Sequence, residues 1–310
     1  MNISGYSSNN MIGTITSQQN KLYELFNKLN TNQKYTNISE NPIDAADLVR
    51  INKQLAEIET YSKNVNNAIT QINAQDSVFS TIVDKLQRIN DLAIQAANGA
   101  SGESGLEACR TEFEELKKTI VSLANSQYDG KYIFSGTNVT TEPFTLNDDG
   151  SITYTGTTSD NFAGYERYLE VSDGDYIDLN SAGDSIFGTY DANDPDNPDV
   201  SSGLFKVLGD LSAAFESGDQ EKIREQLTPL QNSIEHISEI QSVHSSTVTK
   251  LNMTTEILDE TKLTLTSRKA EISEVDMPTA ISELMQQNYA LQASMQAYTI
   301  ISNQSLLDYI

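Results

Sequence analysis

The sequence has no tryptophan, one cysteine, two histidines and six prolines, and each scarcity closes off a class of protein. A lone Cys109 makes no internal disulfide, which removes a disulfide-stapled scaffold. It sits on the apolar face of a helical stretch, where it reads as a small buried hydrophobe rather than a reactive thiol. No run approaches the ~20 apolar residues that a membrane-spanning helix needs. The start, Met1-Asn2-Ile3-Ser4-Gly5-Tyr6, has no basic head, apolar core or cleavage pattern of a secretory signal. Basic residues number 20 against 44 acidic, a net charge of -24. Such a chain is repelled by nucleic acid and by anionic lipid, so neither is an expected partner. Hydrophobic residues make up 37% and aromatics 7%, below a typical globular chain. That suits narrow helical seams better than one thick core.

What is present is helical periodicity. Met11, Ile15, Leu22, Leu25 and Leu29, with Gln18 between, step by four and three residues. Met277, Ile281, Leu284, Leu291, Met295 and Tyr298 follow the same phase near the other end. This spacing keeps one narrow stripe facing one partner, as in a coiled coil. The two stripes lie at opposite ends of the sequence and are expected to pair. The first helix is expected over about 11–31, after a loose, Ser- and Asn-rich start.

Asn41-Pro42-Ile43-Asp44 is a helix start. Asn41 caps, Pro42 suits the first helical position and Asp44 meets the positive end of the dipole. The helix it opens runs to about Asn98-Gly99. Its seam holds Leu48, Ile51, Leu55, Ile58, Val65, Ile69, Ile72, Phe79, Val83, Leu86, Ala93 and Ala97, with Ser62, Asp76 and Asn90 filling the gaps. Polar seam residues weaken a coiled coil and fix its register. Roughly 55 helical residues make a rod of about 80 Å. A third helix carries Leu106, Cys109, Phe113, Leu116, Ile120 and Leu123, and should fold back on the second.

Composition changes at Asp129-Gly130. Residues 131–203 hold ten of the 23 aromatics, eight of the 16 glycines and 14 acidic residues against two basic. Alternation at Ile152 and Tyr154, and from Tyr165 to Val171, between Gly and Asp turns, indicates short strands. Helix returns at Leu204, Val207, Leu208, Leu211 and Phe215. After Ser217-Gly218-Asp219 a fifth helix follows, with Ile223, Leu227, Leu230, Ile234, Ile237, His244, Val248, Leu251, Leu258 and Leu265 on its seam. Pro229 predicts a kink or break within it. Pro278 opens the last helix.

No catalytic, cofactor or metal site is apparent. His236 and His244 lie two turns apart, too far to share a metal. The run 191–199 is acidic but lacks the glycine and terminal Glu of an EF-hand loop. Gly130-Lys131 lacks the upstream glycine of a phosphate loop. With both histidines on a helical rod there is no Ser–His–Asp grouping.

Three stretches carry a resemblance. Ser39-Glu40-Asn41-Pro42-Ile43-Asp44-Ala45-Ala46, with Asn64, Asn66, Asn67 and Ala68 beyond, resembles the N-terminal signature of bacterial flagellins and their relatives. Gly130-Lys131-Tyr132-Ile133-Phe134-Ser135-Gly136-Thr137 is similar to the entry into the insert of the hook–filament junction proteins of that flagellin-like family. The ending Ile301-Ser302-Asn303-Gln304-Ser305-Leu306-Leu307-Asp308-Tyr309-Ile310 is similar to theirs, and unlike flagellin's. The likeness covers the helical flanks, about three quarters of the chain.

The resemblance implies a secreted, extracellular structural subunit, not an enzyme, at the flagellar hook–filament junction. It implies export without a cleaved signal through the flagellar export apparatus, with an export chaperone. The implied partners are further copies of itself in a ring at the hook tip, hook-associated protein 1 and flagellin. The alternatives are a flagellin filament subunit or an intracellular coiled-coil scaffold. The expected fold is mainly α: a long antiparallel coiled-coil rod with a small all-β domain inserted at its tip. Its parts are 1–40 (first terminal helix), 41–130 (rod), 131–203 (insert), 204–274 (rod) and 275–310 (last terminal helix). The assembly surface is expected on Met11, Ile15, Leu22, Leu25, Leu29, Ile281, Leu284, Leu291, Met295, Tyr298, Leu306 and Leu307.

Overall fold

Pro42 and Met277 open helices, as their neighbours demand. In the computed structural model, which describes residues 3–35, 37, 39–99, 102–157, 168–178, 182–189 and 203–307, the Asn41 side chain accepts from Ile43 N and Asp44 N at 3.2 and 3.3 Å. The chain is mainly helical: α1 (Ile3–Thr31), α2 (Pro42–Ala97), α3 (Gly102–Ala124), α4 (Gly183–Phe187), α5 (Leu204–Ser217), α6 (Gln220–Glu225), α7 (Leu227–Ser273) and α8 (Met277–Leu307). The strands are β1 (Gln127–Tyr128), β2 (Lys131–Tyr132), β3 (Phe144–Leu146), β4 (Ile152–Tyr154), β5 (Tyr168–Ser172) and β6 (Asp175–Asp178). They form three separate antiparallel hairpins: β1–β2, β3–β4 and β5–β6.

Several boundaries differ from expectation for identifiable reasons. The expected loose start is helical from Ile3, because extending a formed helix costs little and nothing there breaks it. Instead of one fifth helix there are two, parted at Gln226. Pro229 has no N–H to donate to the carbonyl of Glu225, so the ladder stops before it. The insert is not all-β among its described residues, since α4 lies within it. The acidic run 191–199 lies outside the described residues.

The chain divides into two compact units, 1–58 with 259–310, and 59–258. In the second, α2 and α7 run antiparallel. Arg224 of α6 donates to Ala97 O at 3.0 Å, placing a cation on the last carbonyls of α2. Farther along, Gln241 donates to Ser80 Oγ at 3.1 Å, and His244 Nδ1 lies 2.7 Å from Asp76 Oδ1. From Phe79 onward α2 buries a second stripe, Ile82, Ile89 and Ala96, beside the expected one. The second stripe exists because α3, α5 and the insert pack there as well.

The insert shares this core rather than forming its own. Phe134 and Phe187 stack with Phe79 of α2 at 5.3 and 6.2 Å, and Phe144 meets Phe205 of α5 at 4.9 Å. Asn125, just past α3, closes the join with a backbone-like pair of bonds: its Nδ2 donates to Phe144 O at 2.7 Å and its Oδ1 accepts from Phe144 N at 2.9 Å. Asp129 and Gly130, at φ 52° and 71°, make the tight turn of the β1–β2 hairpin, a conformation Gly and Asp tolerate.

Candidate assembly surface

In the first unit α1 and α8 run antiparallel along each other. Lys34 N donates to Ser273 O at 2.8 Å beyond one end of the pair, and Gln287 Nε2 to Gln18 O at 3.4 Å in the middle. On α1 the seam is the expected one: Met11, Ile15, Gln18, Leu22, Leu25 and Leu29 are half-buried while their neighbours are mostly exposed. On α8 the inward residues are Ala280, Leu284, Gln287, Leu291, Ser294 and Tyr298. Leu284, Leu291 and Tyr298 thus lie where the spacing put them. Ile281 and Met295 do not: they are 42% and 49% exposed, and Met277 is exposed too. Ala280 and Ser294 take seam positions beside Leu284, Leu291 and Tyr298. The side chains of Leu306 and Leu307 lie outside the described residues.

A pair of helices buries one stripe of each. What it leaves over is unusual here. Ile281, Met285 and Met295 of α8 are exposed, as are Ile12, Tyr23 and Phe26 of α1. At 3.6 residues per turn each group lies roughly a quarter turn from its seam, in the same rotational sense. In an antiparallel pair that sense brings both groups to one side. Large side chains such as Met285 and Tyr23 carry the sequence signal for this flank. Charge is missing as well: α1 has none from Ile3 to Asn20 and α8 none from Leu284 to Leu307, in a chain of net charge -24.

The rest of the molecule offers little chemistry. His236 is exposed, and His244 faces Asp76, so the structure does not bring the two histidines together. Among the described residues no group of His, Cys, Asp and Glu is placed to hold a metal ion. No described helix is long and apolar enough to cross a membrane. Cys109 is buried, and burial pushes its thiol pKa up, which keeps it protonated and poorly nucleophilic.

The helical fold with its paired terminal helices resembles that of flagellin-like proteins, and residues 4–139 match the bacterial flagellin N-terminal helical region. Over nearly its whole length the chain resembles flagellar hook-associated protein 3: it is 25% identical to that protein of Escherichia coli (strain K12) over 312 residues, 96% of this chain and 95% of the relative. A flagellin of Salmonella budapest is 22% identical over 140 residues, only 45% of this chain and 28% of the relative. Among solved structures, hook associated protein-3 from Legionella pneumophila superposes with a TM-score of 0.61 at 14% identity, covering 72% of this chain and 98% of that one; this likeness concerns the fold. These relatives are structural proteins of the flagellum rather than known enzymes.

Proposed function

We propose that the chain is the structural subunit that joins the flagellar hook to the flagellin filament, and that it assembles through α1 and α8. The observation that carries this reading is the pair of terminal helices, free of charge over Ile3–Asn20 and Leu284–Leu307, with an apolar flank left exposed. Copies carrying -24 each repel one another, and an uncharged segment is where they can pack side by side without that penalty. Apolar area left on a monomer marks a contact surface. The seam residues Met11, Ile15, Leu22, Leu25, Leu29, Leu284, Leu291 and Tyr298 hold the pair together; Ile281 and Met295 belong to the flank offered to neighbours. In this reading 1–40 and 275–310 form the assembly region. The partners are further copies, hook-associated protein 1 and flagellin, with an export chaperone and the export apparatus acting earlier. In this reading the protein is exported and works outside the cell. A filament subunit is the weaker reading, because the flagellin likeness is confined to under half of the chain.

The test is complementation. Met285→Asp puts a charge on the flank and leaves the seam intact. Cells carrying it in place of their own copy are expected to export the subunit, fail to incorporate it at the hook tip and release flagellin into the medium. Normal filaments would overturn the assignment of that flank, and a subunit retained in the cell would point to export instead.

A further inference from the structure

In the second unit, α2 and α7 continue past the aromatic core as two helices side by side, over residues 59–76 and 241–258 of this stem. Two helices alone leave seam residues half exposed, as α1 and α8 do. Yet Val65 and Ala68 are 0% exposed, which requires a third layer. Neither belongs to the core cluster built around Phe79. Val171 and Ile177, on β5 and β6, are likewise buried and likewise outside that cluster.

The hydrogen bonds identify the third layer. Asn64 Nδ2 of α2 donates to the carbonyl of Glu170 at 2.7 Å, and Tyr61 OH donates to the Glu170 carboxylate at 3.5 Å. On the other helix Lys250 Nζ lies 2.9 and 3.0 Å from the Asp175 carboxylate oxygens. Glu170 is on β5 and Asp175 begins β6, so one two-stranded hairpin grips both helices. A lone hairpin is marginal in water, and this one gains its order by lying on the stem as the stem gains cover from it.

We propose that the β5–β6 hairpin is a clasp. It closes over the α2–α7 stem, holding α2 through Asn64 and α7 through Lys250, and the stem's resistance to opening depends on it. The insert therefore has a structural task on the helices in addition to the surface it presents to solvent.

Amide hydrogen exchange on the full chain tests this. Asn64→Ala removes the donor to Glu170 and keeps helix propensity. It is expected to speed exchange tenfold or more in residues 59–72 and 245–258, with residues 79–97 unchanged. Unchanged stem protection, or an equal loss along all of α2, overturns the clasp. Lys250→Glu is expected to speed the same amides several-fold, and adding Asp175→Lys to restore protection by re-forming the pair with reversed signs. A double variant no better protected than Lys250→Glu overturns the grip on α7.

Discussion

The terminal pair and the aromatic core are built from the same helical material to opposite ends. Around Phe79 the side chains of Phe113, Phe134, Phe187, Phe205, Leu208 and Leu211 are all fully buried. Along α1 and α8, Ala280 is the one buried residue among those with described side chains; the rest of the seam is half-buried. The first arrangement is complete within one chain. The second has apolar surface to spare and long stretches, Ile3–Asn20 and Leu284–Leu307, without charge to keep other molecules away. A region stable by itself and a region that gains by docking are what the proposed assembly role needs.

Truncation in the core separates the two most sharply. Phe187→Ala leaves a cavity among Phe79, Phe134, Phe144 and Phe205, whose rings stand around it. The expected cost is about 3–5 kcal/mol, read as a lowered urea midpoint of the main unfolding transition, while exchange in α1 and α8 stays as it was. Phe187 belongs to the insert, so a large loss also shows that the insert is part of the core. A loss no greater than that of a surface substitution would show the insert to be an independent appendage.

The sequence disclosed the helices and their order because caps and breakers act locally: Asn41-Pro42, Gly99, Gly218 and Pro229 each mark a boundary within a few residues. It disclosed the α2 seam for the same reason, one partner giving one period. It hid what depends on distant partners. The second stripe, Ile82, Ile89 and Ala96, makes sense only once α3 and the insert lie against it. On α8 the seam runs through Ala280 and Ser294 rather than Ile281 and Met295, and a reading that ranks positions by apolar bulk takes the wrong residues there. The insert's aromatics suggested a separate β-domain because nothing in their spacing shows that Phe134 and Phe144 pack on helices more than 50 residues away in sequence.

Leu291→Asp acts at the other side of the comparison. Full burial of a leucine contributes about 1.5–3 kcal/mol, and a half-buried one contributes less, but the aspartate also places a carboxylate in a seam with no cation near it. Limited proteolysis is expected to cleave within 3–31 and 277–307 far faster than in the parent, and the urea midpoint of the main transition to stay put. A drop in that midpoint would mean the terminal helices support the core, erasing the distinction between the two regions.

One feature of the core works against its own stability. The Lys117 side chain is 3% exposed and its nearest carboxylate, Glu114, stands 3.9 Å away. Burial lowers the lysine's pKa from its ordinary value, the neighbouring Glu114 opposing this. The folded state therefore holds this proton less tightly than the unfolded chain, and stability rises as pH climbs through the folded pKa towards the ordinary lysine value. Lys117→Met keeps the length and removes the charge, with Glu114 still bonded to Ser212. It is expected to stabilise the protein by about 1 kcal/mol at neutral pH and to abolish the alkaline rise, measured as urea midpoints from pH 7 to 10. A destabilised variant would mean that the ion pair outweighs the burial.

The smallest effect is expected at Arg88 and Glu112, which join α2 to α3 through two hydrogen bonds of 2.7 and 2.9 Å. The geometry is bidentate, the favourable case for a guanidinium and a carboxylate. Both side chains are nonetheless about half exposed, at 50% and 44%, so water and salt screen what the geometry offers. The hydrogen bond from Arg88 holds the Glu112 carboxyl below its ordinary pKa. For a depressed carboxylate the contribution is present above the unfolded value, near 4.3, and is lost as pH falls through the folded value beneath it. Glu112→Gln is therefore expected to lie slightly below the parent in urea midpoint at pH 7 in low salt, to meet it in molar salt, and to meet it again once the pH drops below the folded value. A deficit that survives both high salt and acid would have to come from packing of the glutamate stem against α2, and the pair would then count with the core rather than with the solvated surface.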